Sequence, residues 1–178
     1  MNKIIKADLF RYGGQTKIRQ GKKIPGFKFM YYFRKASKYK DNKVLGLYYR
    51  YRLSRLRIKY GYQIKIETKI GSGFYIGHFG TIVINPKVQI GENCNIAHST
   101  TIGVSNRGKY KGVPKIGNNV WIGTGTVIVG KITVGNNVLI APNAYLNVDV
   151  PDNSLVIGNP AKITQKANAT MGYINNIL

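Results

Sequence analysis

The sequence predicts an all-β solenoid, a parallel β-helix of about five coils preceded by a short helical N-terminal extension. Three observations predict it: aliphatic residues recur every six positions from Ile64, a glycine or alanine follows most of them, and the composition breaks near Gly61. The chain has 178 residues and a formal net charge of +22, and that length can bury a sizeable core. Its 43% hydrophobic content excludes a disordered basic tail, which lacks the apolar material to offset its ordering entropy. A single cysteine excludes a disulfide framework and fits a reducing compartment. No run approaches the roughly 18–20 apolar residues of a membrane span, and the opening MNKIIKADLFRYGG lacks the apolar stretch of a secretory signal. The expectation is a cytoplasmic protein, soluble or held peripherally at the inner face of the cell membrane.

Residues 1–62 form the basic, tyrosine-rich extension. The first 60 hold 18 of the 28 Lys and Arg but only the acids Asp8 and Asp41, so +16 of the +22 lies there, together with 8 of the 13 tyrosines. Two segments read as helices. Residues 27–40 follow the Pro25-Gly26 break, and residues 42–60 follow Asp41 and Asn42, both suited to capping. In the second, Leu45, Tyr48, Tyr49, Leu53, Leu56 and Tyr60 recur at spacings of three and four, with arginines filling much of the rest. Such a helix suits a cap packed on the following domain or a surface helix drawn to anionic lipid. Nucleic acid ranks last as a partner, because no recognised nucleic-acid motif accompanies the charge.

Residues 63–163 carry the repeat. Aliphatic residues fall at Ile64, Ile70 and Ile76, pass a two-residue insertion between Ile82 and Ile84, and continue at Ile90, Ile96 and Ile102. After a longer break the phase returns at Ile116, Ile122, Ile128, Val134, Ile140 and Leu146. Small or β-branched residues recur four positions later, as at Thr68, Gly80, Val88, Cys94, Thr100, Val120, Thr126, Val138 and Ala144. A period of six is no helix stripe, since 3.6 does not divide it. It fits three short strands per coil joined by tight corners, each strand sending one aliphatic residue inward. Residues 103–115 leave the phase and read as a protruding loop; residues 164–178 form a C-terminal tail.

A solenoid is a scaffold, so function is sought where the repeat is broken. The only two histidines, His78 and His98, each follow an aliphatic marker (Ile76, Ile96) by two residues, one full coil apart. They are expected to stack on one face, on rungs about 4.8 Å apart. Imidazole suits a general base near neutral pH. Without cysteine or carboxylate at ligand spacing they do not read as a metal site. Cys94, at an inward small position, reads as core.

The stretches 76–103 (IGHFGTIVINPKVQIGENCNIAHSTTIG) and 113–163, ending in GNPAK at 158–162, resemble hexapeptide-repeat acyltransferases. The resemblance is to the serine acetyltransferase branch and, more closely in pattern, to O-acetyltransferases of bacterial surface-polysaccharide pathways. It implies a left-handed β-helix, a known exception to the crossover rule, and a homotrimer whose three active sites lie between the β-helices of neighbouring subunits and bind acetyl-CoA. It makes His78 the base that takes the acceptor hydroxyl's proton during direct attack on the thioester, with backbone N–H groups meeting the oxyanion. Gly103, Gly123, Thr124, Ala141 and Pro142 lie on corners where the backbone can approach the pantetheine arm, and Lys162, with Lys115, can meet phosphates.

Departures from the serine enzymes point to a different acceptor. The acid before the base is Gly77, the loop's Arg-His pair is Gly112 and Val113, and the aspartate that orients the base is Gln63. A zwitterionic acceptor lacks its partners here, whereas a sugar hydroxyl can be met by His98, Asn85, Asn118, Tyr110 and the ring of Phe79. Gln63, Glu92 or a backbone carbonyl remain to orient His78. The expected activity is acetyl-CoA-dependent O-acetylation of a sugar, free or lipid-linked, for capsule, exopolysaccharide or O-antigen. Serine O-acetylation and a non-catalytic β-helix scaffold are the alternatives.

Overall fold

The computed structural model describes residues 3–178. Four helices come first: α1 (Lys3–Phe10), α2 (Ile18–Gly21), α3 (Pro25–Lys38) and α4 (Lys43–Tyr60). The sequence pattern foresaw α3 and α4 but not α1 and α2, which are too short to show a period. Asn42 caps α4, its side-chain oxygen accepting from the N–H groups of Val44 and Leu45, and Gly61 ends the helix at φ 76°.

The left-handed parallel β-helix follows as three narrow sheets forming the sides of a prism. Side A stacks β1 (Tyr62–Ile64), β4 (Ile82–Ile84), β7 (Thr100–Gly103), β10 (Val127–Val129) and β13 (Tyr145–Leu146). Side B stacks β2 (Lys69–Ile70), β5 (Gln89–Ile90), β8 (Lys115–Ile116) and β11 (Thr133–Val134). Side C stacks β3 (Tyr75–Ile76), β6 (Asn95–Ile96), β9 (Trp121–Ile122), β12 (Val138–Ile140) and β14 (Ser154–Ile157). All these pairs are parallel, and β15 (Lys162–Gln165) then doubles back antiparallel on β14.

Each repeat marker points inward. None of the fourteen aliphatic residues from Ile64 to Leu146 is more than 9% exposed, and they form columns in register, such as Ile76, Ile96, Ile122 and Ile140. The small residues four places later are buried as expected, with one exception. Gly80 falls inside the insertion, turns the corner at φ 136° and lies against the Cβ of His98, while Ile82 takes the inward place. Corners need left-handed backbone, and asparagine tolerates it best after glycine. Asn93, Asn119, Asn137 and Asn153 accordingly turn the B-to-C corner on successive coils.

The helices close the N-terminal mouth of the prism. Phe29, Met30 and Phe33 of α3 join the same core as Tyr62, Phe74 and Ile76. Gly26 lets α3 approach closely, since any Cβ there would meet the Ile76 carbonyl and the Tyr12 hydroxyl. The first strand of side C would otherwise present an unpaired edge. Instead, Phe74 N–H donates to Asp8 (3.0 Å), and the Tyr12 hydroxyl both donates to the Ile76 carbonyl (3.2 Å) and accepts from its N–H (3.1 Å). Arg34 pairs with Asp8 at 2.8 Å and donates to the Ile70 and Gly71 carbonyls at 2.6 Å each.

The apolar pattern of α4 resolves differently from expectation. Leu53 and Leu56 are buried and Tyr49 and Tyr60 pack on the core, but Leu45 and Tyr48 stand 40% and 47% exposed. The C-terminal tail folds back over side C, where Tyr173 lies 5.0 Å ring to ring from Trp121 and its carbonyl accepts from Asn95. No helix among the described residues is long and apolar enough to cross a membrane.

Candidate active site

The corner between sides C and A brings the two histidines together. Registered pairing of Ile76, Ile96, Ile122 and Ile140 places the residues two further on in one column: His78, His98, Thr124 and Pro142. The rings of His78 and His98 stand 5.7 Å apart, edge to face, which confirms the stacking expected from their spacing. His78 is exposed, whereas His98 is half-buried and its Nδ1 is buried without a hydrogen-bond partner. The backbone under His78 is held by Tyr62, whose hydroxyl donates to the His78 carbonyl at 3.0 Å. Phe79, beside it, is 68% exposed and offers a ring face at the same corner.

The residues before that column are all small: Gly77, Ala97, Gly123 and Ala141. At Gly123 any Cβ would collide with the backbone of residues 140–142, so the corner is flat by necessity. The GNPAK turn closes the same corner at its far end, where Gly158 accepts from Tyr145 N–H and Ala161 N–H donates back to the Tyr145 carbonyl. Lys162 is exposed just beyond it. From His78 to Gly158 the column spans four rungs, roughly 19 Å. An edge of that length, with imidazole at one end and a cation at the other, has room along it for an extended anionic ligand.

Other predicted residues lie elsewhere in the protomer. Gln63 lies on the outer face of side A, with Asn85 just past the end of β4 and Gly103 at the end of β7. They line a groove of about 340 Å³ together with Lys65, Val104 and Arg57. Arg57 escaped the sequence reading because only the packing of α4 on β1 brings it there; its Nε is buried without a partner. Glu92 and Asn118 occupy the B-to-C corner, away from the histidines. Ser72 donates to Glu92 there, and Asn118 accepts from Glu92 N–H, in a ladder continued by Asn136 and Asp152. Among the described residues no hydrogen bond joins Gln63 or Glu92 to the His78 ring. Lys115 sits on side B, along a groove of about 650 Å³ that holds neither histidine.

The loop protrudes less than its sequence suggests. Its free part is 104–114, closed by paired hydrogen bonds between Ser105 and Gly112, and half-buried Tyr110 anchors it by accepting from Lys131 N–H at 2.8 Å. Cys94 is fully buried with its sulfur against the Gly117 carbonyl, and burial pushes its thiol up to about 12. It is core. No group of three or more His, Cys, Asp or Glu among the described residues could hold a metal ion.

Coil and corner together define the class: a hexapeptide-repeat β-helix with a paired-histidine corner. Residues 114–147 match the family model described as bacterial transferase hexapeptide (six repeats). Over 106 residues the chain is 37% identical to a serine acetyltransferase of Helicobacter pylori (strain ATCC 700392 / 26695), covering 60% of this chain and 62% of that protein. Over 105 residues it is 41% identical to the putative colanic acid biosynthesis acetyltransferase WcaB of Escherichia coli (strain K12), covering 58% and 64%. The chain thus spans less than two thirds of the length of these curated relatives. A crystal structure of serine acetyltransferase from Brucella abortus strain S19 in complex with coenzyme A is similar with a TM-score of 0.74 at 26% identity, covering 92% of this chain and 66% of that one. The resemblance to hexapeptide-repeat acyltransferases read from the sequence is borne out by these comparisons.

Proposed function

We propose that the protein is an acetyl-CoA-dependent O-acetyltransferase whose acceptor is a sugar hydroxyl in bacterial surface-polysaccharide synthesis. The observation that carries this reading is the stacked His78–His98 pair at one end of a flat corner, in a coil similar to acetyltransferases on both sequence and structure. His78 takes the proton of the acceptor hydroxyl as its oxygen attacks the thioester carbonyl. Backbone N–H donors meet the tetrahedral oxyanion, which collapses with loss of the coenzyme A thiolate, and the imidazolium returns its proton to that sulfur. No covalent enzyme intermediate is needed. Lys162 meets phosphate at the far end of the column. Homotrimer assembly, with each corner facing a neighbouring coil, would close the site against water and supply further acceptor contacts.

A sugar fits the corner better than serine. Burying a zwitterion demands a charged partner for each of its groups, yet Gly77, Gly112 and Val113 supply none and Gln63 is neutral. The exposed ring of Phe79 suits the apolar face of a pyranose. Serine acetylation remains the competing reading because of the Helicobacter relative. Coenzyme A release measured with nucleotide-linked or lipid-linked sugars and with serine separates the two. Turnover with a sugar at least tenfold above that with serine is expected, and the reverse ratio would overturn the acceptor assignment.

A further inference from the structure

Helix α4 has two apolar faces, and only one is used. Gly46, Tyr49, Leu53, Leu56 and Tyr60 turn toward α3 and the coil. On the opposite side, Val44, Leu47, Tyr48, Tyr51 and Ile58 fall within about 100° of arc at 3.6 residues per turn. Their exposures are 78%, 65%, 47%, 60% and 82%, so the stripe runs nearly the full helix with nothing among the described residues covering it. Five residues of this size in one row exceed the scattered apolar side chains of an ordinary surface.

The charges beside the stripe select its occupant. Lys43, Arg50 and Arg57 flank it on one side and Arg52 and Lys59 on the other, with Arg55 inside it; α4 holds no acidic residue. A second copy of the helix would bring six cations against six cations as it desolvated them, which is costly without counter-charge. A bilayer surface carrying anionic headgroups meets both requirements: acyl boundary for the aliphatic and tyrosine side chains, phosphate for the arginines. The buried face of α4 takes the place of the solvated face of an ordinary interfacial helix.

We infer that the outer face of α4 docks the protein on an anionic lipid bilayer, with Val44, Leu47, Tyr51 and Ile58 entering the headgroup boundary. The helix is about 27 Å long and lies parallel to the surface. The inference stands apart from the acyl-transfer reading, because lipid binding is measured without either substrate.

The test is co-sedimentation of the full chain with vesicles of phosphatidylcholine, pure or containing 30% phosphatidylglycerol. Partitioning onto the anionic vesicles is expected to be at least tenfold stronger, and to weaken at least fivefold between about 0.1 and 0.5 M salt as charge is screened. The variant Leu47→Ser/Tyr51→Ser/Ile58→Ser, altered only at exposed positions, is expected to lose at least tenfold in partitioning while keeping the wild-type melting temperature. Arg50→Gln/Arg55→Gln is expected to lose the preference for phosphatidylglycerol. Equal binding to both vesicle types, or undiminished binding by the triple variant, would overturn the inference. So would a triple variant that lowers the oligomeric mass in solution and leaves lipid binding intact, which would make the stripe a contact between copies.

Discussion

His78 owes its place to spacing alone. The residue two after an inward isoleucine leaves the coil at the corner, and the same offset one coil later sets His98 against it at 5.7 Å. If His78 is the base, His78→Ala lowers kcat roughly a hundred- to ten-thousand-fold, the range for loss of a positioned proton acceptor, and leaves the melting temperature unchanged because the side chain is exposed. Unchanged turnover would remove it from the mechanism. Cys94 is the opposite case, a chemically capable group disarmed by position. With its thiol pushed up to about 12, it is expected to resist thiol reagents at pH 7.5 until the protein is unfolded. The sign for stability follows from the same shift. The folded state holds the thiol proton more tightly, so this contribution is complete below the ordinary thiol range and lost as pH rises toward 12. Cys94→Ala should therefore lose less stability than wild type between pH 8.5 and 11, measured by urea titration.

At the scale of elements, the junction between helices and coil encloses a buried ion pair. Asp8 and Arg34 are 1% and 8% exposed, and each also serves the first coil: Asp8 accepts from Phe74, and Arg34 closes the ends of β2 at Ile70 and Gly71. Burial raises the Asp8 carboxyl while Arg34 and the Phe74 N–H pull it down. Arg34→Met leaves an uncompensated buried carboxylate and is expected to cost about 3–5 kcal/mol. The double variant Asp8→Asn/Arg34→Met should recover a large part of that loss; a strictly additive double would show that the two side chains do not act as a pair. None of this was legible in the sequence. Asp8 is one of only two acids among the first 60 residues, and its partner lies 26 positions away on another helix. The coil elements, by contrast, were legible strand by strand, because each hexapeptide meets the same local demand for an inward aliphatic and a small corner.

At the scale of the molecule, the basic extension and the coil form one body sharing a core. Two of the extension's cations are structural: Arg34, and Arg11, which donates to the Gly73 carbonyl, Asn95 and the Asn175 carbonyl and so ties both chain ends to side C. A trimer built around the corner column predicts a solution mass about three times the 19.9 kDa chain, measured by analytical ultracentrifugation. A monomer with full activity would refute a site shared between subunits. Three copies would also carry three α4 helices, so membrane attachment would gain from multivalency even where each helix binds weakly.

The sequence by itself determined the solenoid, the number of its coils, the corner where the histidines stack and the concentration of charge before Gly61. These follow from a short-range repeat in which every coil restates the same packing rule. The tertiary structure alone decided which of the other predicted polar residues join that corner. His78 and His98 share a corner with Thr124 and Pro142, while Glu92 and Asn118 serve a structural ladder on another edge. It also decided which face of α4 is spent on the core and which is left exposed. Both outcomes depend on the rotation of one element against another, and a one-dimensional pattern of hydrophobic and basic residues does not encode that rotation.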